Sequence, residues 1–102
     1  GVPEEEVVPS RYALHAAVPN PFNPMTTIRY DLPHESQVTL AIYDLHGKHV
    51  YTLVGNETQG PGTHKAVWMG KDTTDRTVAS GVYFYRLESE GFREMKRMML
   101  LK

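Results

Sequence analysis

Apolar and polar residues alternate through most of this 102-residue chain. In segment 26–32, Ile28, Tyr30 and Leu32 alternate with polar residues until Pro33 ends the run. A period of two predicts a strand with one buried face. Strands are likewise predicted over 38–44, 64–68, 82–88 and 93–102, and over 49–54 as the return strand of a hairpin. A shorter strand is predicted near Tyr12, with Tyr12, Leu14 and Ala16 on its buried face.

Turn-forming residues separate these segments. Asp44–Gly47 predicts a type I turn with Gly47 in the left-handed conformation. The strand over 49–54 breaks strict alternation, which predicts a bulge. Composition predicts loops over 55–62 and 69–76, and an ordered loop over the proline-rich stretch 18–24.

About seven short strands with no helical period predict an all-β fold. We expect an antiparallel, immunoglobulin-like β-sandwich, with a five-stranded barrel or a jelly roll as alternatives. Trp68 and one face of segment 82–88 are predicted to form the core. Tyr83, two residues after Gly81, resembles the tyrosine corner of immunoglobulin sandwiches. We predict a linker over residues 1–10, rich in proline and glutamate, and one domain over residues 11–102.

Charge and composition exclude several classes of function. Eleven basic against twelve acidic residues give a net charge of −1, which excludes a general electrostatic grip on nucleic acid. No apolar run reaches the ~20 residues of a membrane-spanning helix. The first residues lack the basic patch and apolar run of a signal peptide. The chain has no cysteine, which excludes disulfides and thiolate chemistry.

Candidate chemistry is sparse, and we expect neither an enzyme nor a cofactor. His46 and His49 flank the turn at Gly47, the other three histidines lie in different segments, and no zinc ligand set is completed. The acidic loop 72–75 is flanked by cations and has few of the oxygen ligands that calcium needs. No serine has a nucleophile-elbow setting. Aromatic residues offer the remaining possibility, a sugar-stacking platform. Tyr43 and Tyr51 would be its exposed members, and the other candidates are Trp68, Tyr83, Phe84 and Tyr85.

A series of unusual strings then identifies a resemblance. NPFNP precedes a strand, IYD-x-x-G marks a hairpin, and W-x-G-x-D, SGVY and a final LLK follow in order. Together they resemble the C-terminal sorting domain of type IX secretion, a family related to the immunoglobulin-like domain of the flagellar hook-capping protein. The resemblance covers about residues 12–102. The matching structural positions are Asn20, Pro21, Phe22, Asn23, Pro24, Asp44, Gly47, Gly62, Trp68, Gly70, Asp72, Ser80, Gly81 and Tyr83.

The resemblance implies a non-catalytic domain at the end of a larger secreted or surface protein of a Gram-negative bacterium. It would act as an address read by the type IX machinery at the outer membrane, after passage through the periplasm. The other implied partner is a covalently linked upstream passenger, and a weak homodimer is a further expectation. The alternative is a structural or carbohydrate-binding accessory module of an extracellular enzyme.

Some of the matching residues are expected to pack inside the domain, and others to be accessible to a partner. Phe22 is expected to plug one end of the sandwich, and the asparagine amides to bond loop backbone. Met69 and Asp75 depart from the family pattern, in which an acid or amide and a glycine are usual. The final strand is the candidate partner-binding segment, since edge strands can be extended by a receptor. Its residues are Lys96, Arg97, Met98, Met99, Leu100, Leu101 and Lys102.

Overall fold

The alternating segments place their apolar residues on the facing sides of two antiparallel sheets. The computed structural model describes residues 8–102. Its strands are β1 (Ala13–Leu14), β2 (Thr26–Leu32), β3 (Ser36–Tyr43), β4 (His49–Gln59), β5 (Gly62–Trp68), β6 (Gly81–Ser89) and β7 (Phe92–Leu100). One sheet has the order β1-β2-β5 and the other β4-β3-β6-β7. The predicted seven-stranded immunoglobulin-like sandwich is confirmed, and the barrel and jelly-roll alternatives are not adopted. Residues 1–7 of the predicted linker lie outside the described residues.

The core lies between the sheets and contains a cluster of three aromatic side chains. Trp68 is 1% exposed, as the sequence predicts. Its ring centroid lies 5.6 Å from that of Phe22 and 5.2 Å from that of Tyr83. The Tyr83 hydroxyl donates a 2.7 Å hydrogen bond to the Ala79 carbonyl, which confirms the predicted tyrosine corner. This aromatic cluster joins the two sheets without a disulfide.

The first strand is shorter than expected, and its buried face was wrongly assigned at one position. Leu14 is buried and Tyr12 packs against the core, but Ala16 is exposed. Strand pairing with β2 ends at Leu14, so the period of two does not continue. Ala17 is buried in place of Ala16.

β4 extends through much of the segment predicted as a loop. The polar residues 55–59 form its second half and pair with the start of β3, from Ser36↔Gln59 to Val38↔Glu57. The expected irregularity is present as register shifts between β3 and β4, and Asn56 has a φ of +51°. Pairing with a neighbouring strand therefore decides the structure of this segment against its loop-like composition.

Two turns of the molecule share one hydrogen-bonding pattern. In the first, Gly47 N–H donates to the Asp44 carbonyl, and Asp44 Oδ1 accepts from the N–H groups of residues 46 and 48. In the second, Asp75 N–H donates to the Asp72 carbonyl, and Asp72 Oδ1 accepts from the N–H groups of residues 74 and 76. The fourth residue is left-handed in both, with φ of +81° at Gly47 and +65° at Asp75. The predicted left-handed Gly47 is confirmed.

Candidate functional site

β7 lies at the edge of the four-stranded sheet, the position expected of a partner-binding strand. It pairs with β6 along its whole length, from Ser89↔Phe92 at the turn to Gly81↔Leu100 at the other end. Alternation along β7 directs every second side chain into the core and the others away from it.

The seven candidate residues at this strand fall into two groups. Met98 and Leu100 are each 1% exposed and belong to the core. Met99 and Leu101 are 39% and 50% exposed, and Arg97 and Lys102 are also exposed. Lys96 is half-buried, with its ammonium 3.5 Å from a Glu94 carboxylate oxygen. A partner can therefore contact side chains of five candidates, while Met98 and Leu100 hold the strand in place.

Residues 20–22, here called the NPF segment, lie along the outer edge of β7. Phe22 N–H donates to the Met99 carbonyl at 2.9 Å, and Leu101 N–H donates to the Phe22 carbonyl at 3.1 Å. Asn20 Oδ1 accepts from Met99 N–H at 2.9 Å. The expected bond from an asparagine amide thus reaches the last strand rather than loop backbone. The end of β7 is already paired within the chain, by a parallel bridge between Phe22 and Leu100.

The remainder of the motif fixes this segment to the sandwich. Phe22 is 2% exposed and fills the predicted plug position against Trp68. Gly70 is buried with a φ of +68°, and a Cβ there would lie 3.3 Å from the Pro24 carbonyl oxygen. Glycine is therefore favoured at Gly70 both by its backbone conformation and by the close packing against Pro24. Asn23 and Pro24 are exposed.

The outer face of β6 and β7 carries apolar residues that were not among the candidate partner-binding residues. Val82, Phe84 and Met95 lie there, with Met95 49% exposed. A hollow of about 390 Å³ lies beside Val82, lined by Asn20, Pro21, Val82, Arg97, Met98 and Met99. The alternation within 82–88 indicated two faces, but only the β6–β7 register shows which residues adjoin.

Tyr43 is half-buried, so its expected exposure is wrong. The Arg86 guanidinium lies 4.6 Å above its ring, and Nη2 donates a 2.6 Å hydrogen bond to its hydroxyl. Arg86 Nε also lies 2.7 Å from Glu88 Oε1, close enough for ion pairing although the angle is poor for a hydrogen bond. Tyr51 is half-buried as well and packs against the core. With Trp68 also buried, the aromatic residues proposed for sugar stacking do not form an open platform.

The described residues show no grouping that favours metal chemistry. Between residues 8 and 102, no three of His, Cys, Asp and Glu come together as a metal site. Hydrogen bonding from Thr74 lowers the pKa of the Asp72 carboxyl, whose oxygen is engaged within its own turn. In the same range no helix has the length and apolar character to cross a membrane.

Comparison with known proteins identifies a family and three similar structures. The model of the FlgD Ig-like domain matches residues 24–91. Dimeric latent PorU from Porphyromonas gingivalis is similar over 89% of this chain and 9% of its own, with a TM-score of 0.71 and 19% identity. PorZ of the same organism, an essential bacterial surface component of the type-IX secretion system, is similar over 85% of this chain and 11% of its own, with a TM-score of 0.59 and 19% identity.

The third similar structure is FlgD from P. aeruginosa. It is similar over 87% of this chain and 69% of its own, with a TM-score of 0.62 and 20% identity. No curated protein matches the sequence. The chain therefore spans about a tenth of PorU and PorZ, and the three likenesses show the fold.

Proposed function

Because this chain belongs to the FlgD Ig-like domain family, we propose that it is a non-catalytic sorting domain of a larger exported protein. In this proposal the type IX secretion machinery reads the domain at the outer membrane. The upstream passenger is then delivered to the cell surface or the medium.

The observation that carries the proposal is that buried and exposed side chains alternate at the end of β7 and just beyond it. Met98 and Leu100 fill the core, while Arg97, Met99 and Leu101 project to solvent. A receptor can therefore contact this strand without unfolding the domain. The exposed methionine and leucine supply apolar contact area, and the cations supply direction and specificity.

Two further observations support this function. The strings NPFNP, IYD-x-x-G, W-x-G-x-D and SGVY resemble sorting domains, and the fold is similar to a part of PorZ, described as a type IX surface component. The similarity to PorU and PorZ covers about a tenth of each chain, as expected for an accessory domain attached to a larger protein.

A reporter fusion tests the proposal directly. The domain is fused behind a periplasmic reporter and expressed in a host with a type IX system and in its secretion-defective mutant. We expect reporter at the surface or in the medium only in the competent host, and only when the domain is attached. Delivery without the domain, or equal delivery by the defective host, would contradict the proposal.

The burial of each side chain decides which variants of this segment can test recognition without unfolding the domain. Deleting residues 98–102 removes Met98 and Leu100 from the core, so loss of export by that variant would report unfolding. Substitutions of Met99 and Leu101 by serine leave the buried side chains in place. These two positions separate recognition from folding.

A further inference from the structure

β7 has an edge that is paired at one end and open at the other. Met99 N–H and C=O bond the NPF segment, so they point away from β6. Antiparallel ladders alternate with a period of two, and the same main-chain groups of Arg93, Met95 and Arg97 therefore also point away from β6. No loop or side-chain hydrogen bond between residues 8 and 102 reaches these groups. β1 approaches β7, but its ladder is formed with β2. We call segment 92–97 the open edge.

The open edge presents a row of side chains with a defined chemistry. Arg93, Met95 and Arg97 are all exposed and follow each other at every second position. Within residues 8–102, the carboxylates that form ion pairs contact other cations and leave both arginines of the row without one. The two arginines thus lie on either side of an exposed methionine, with their Cα atoms about 13 Å apart along the strand.

The charges of this row indicate which kind of chain segment can pair with the open edge. Antiparallel pairing of two copies about Met95 would place Arg93 of one copy opposite Arg97 of the other, and like charges directly opposite are destabilising. Carboxylates in those places would instead form cross-strand ion pairs, and an apolar residue between them would contact Met95. Charge complementarity therefore favours an acidic partner over self-pairing.

We propose that the open edge binds an extended peptide segment of the pattern acidic-x-apolar-x-acidic by strand addition. Main-chain bonds to Arg93, Met95 and Arg97 supply affinity, and the alternating side chains set the register. The proposal rests on the proposed function in one respect, since it describes the peptide segment with which a sorting receptor would bind this strand.

Peptide titration followed by amide NMR of the isotope-labelled domain tests the proposal. The probe is a synthetic peptide with the core Glu-Thr-Val-Thr-Glu, and the control has the same composition in the order Thr-Glu-Val-Glu-Thr. We expect a Kd near or below about 1 mM for the probe. The amides of Arg93, Met95 and Arg97 should shift, while those of Glu94 and Lys96 move little, because the latter already bond β6.

Matched variants complete the test. Arg93→Glu with Arg97→Glu should weaken probe binding at least about fivefold, because two favourable pairs become repulsive. Arg29→Glu with Lys65→Glu makes the same charge change at exposed positions of the other sheet and should leave binding unchanged. Amide spectra of both variants verify that they fold.

The outcomes are distinct from those of the export test. No binding at millimolar peptide, equal binding of the reordered control, or equal weakening by both double variants would overturn the strand-addition proposal. Any of these results, obtained while the wild-type reporter fusion is still exported, leaves the sorting function standing. Specific peptide binding by a domain that directs no export would instead overturn the sorting function alone.

Discussion

Asn20 and Met99 are joined by a 2.9 Å hydrogen bond from the Met99 N–H to the Asn20 side-chain oxygen, across 79 residues of sequence. The bond ties the segment before β2 to the last strand, which belongs to the other sheet. It also closes the end of the β7 edge next to the open edge. The NPFNP string thus shapes the strand proposed to be read.

Asn20→Ala removes the acceptor for the Met99 N–H. We expect the free energy of unfolding to fall by about 1 kcal/mol, the usual contribution of such a bond. Hydrogen exchange at the Met99 amide should also become faster. Asn20→Asp keeps an acceptor oxygen and should largely preserve both quantities. Equal exchange rates in wild type and Asn20→Ala would show that the bond does not hold this edge.

Trp68→Ala opens a cavity between Phe22 and Tyr83. The indole is 1% exposed and its Nε1–H donates to the Lys71 carbonyl at 2.9 Å. We expect a loss of about 3–5 kcal/mol in chemical denaturation, a large part of the roughly 5–15 kcal/mol of a small domain. Trp68→Phe should cost less, because most of the apolar volume remains. A loss below about 1 kcal/mol for the alanine variant would contradict the core assignment.

The two matching turns predict opposite effects of exchanging their fourth residues. Asp75 holds a left-handed conformation that glycine adopts without strain, so Asp75→Gly should stabilise by about 1 kcal/mol. Its ion pair with Lys71 lies at the surface and contributes little. Gly47→Asp should destabilise by a similar amount. Thermal and chemical unfolding of both variants give the comparison, and a loss of stability in Asp75→Gly would show that its carboxylate matters more than its backbone angle.

Local patterns were sufficient where each strand has one buried face. Segments 26–32 and 82–88 alternate cleanly, and the structure contains strands over both. The tyrosine corner and the turn at Gly47 also followed from short strings with defined backbone requirements. Residues 55–59 were missed because they are polar, and only their pairing with residues 36–38 makes them a strand.

The candidate site depended on contacts that no local pattern contains. Alternation in the last strand indicated two faces, but not that Met98 and Leu100 face the core while Met99 and Leu101 face solvent. The pairing of Phe22 with Met99 and Leu101 joins distant segments and divides the edge into closed and open parts. Tyr43 was expected to be exposed because the sequence does not show that Arg86 reaches across its ring.

Three buried tyrosines predict a loss of stability at alkaline pH. Burial raises the pKa of Tyr30, Tyr83 and Tyr85 above the ordinary value of 10.0. Between the unfolded and folded pKa values the native state holds more protons, so the free energy of unfolding falls as pH rises. The unfolding midpoint should be steady from neutral pH to about pH 10 and should fall above it. Tyr85→Phe should show a shallower fall relative to its own neutral-pH midpoint, and a midpoint constant to about pH 12 would contradict the account.

The central claim is that secretion machinery reads the solvent-accessible side chains at the end of β7 and in the two residues that follow it. Two triple variants with equal charge changes distinguish the effect of these positions from that of net charge. The β7 triple variant carries Lys96→Glu and Arg97→Glu in β7, and Lys102→Glu two residues beyond its end. The control triple variant carries Arg29→Glu, Lys65→Glu and Arg76→Glu, at exposed positions elsewhere on the domain. Thermal unfolding of each purified domain establishes that both retain the fold.

The most direct measurement is the fraction of reporter delivered to the cell surface by each fusion in a type IX-competent host. The account predicts that the control triple variant is delivered like wild type. The β7 triple variant should lose delivery at least about tenfold while its unfolding curve is unchanged, because reversed charges repel a complementary receptor. Wild-type delivery by a folded β7 triple variant, or equal losses in the two variants, would contradict the claim.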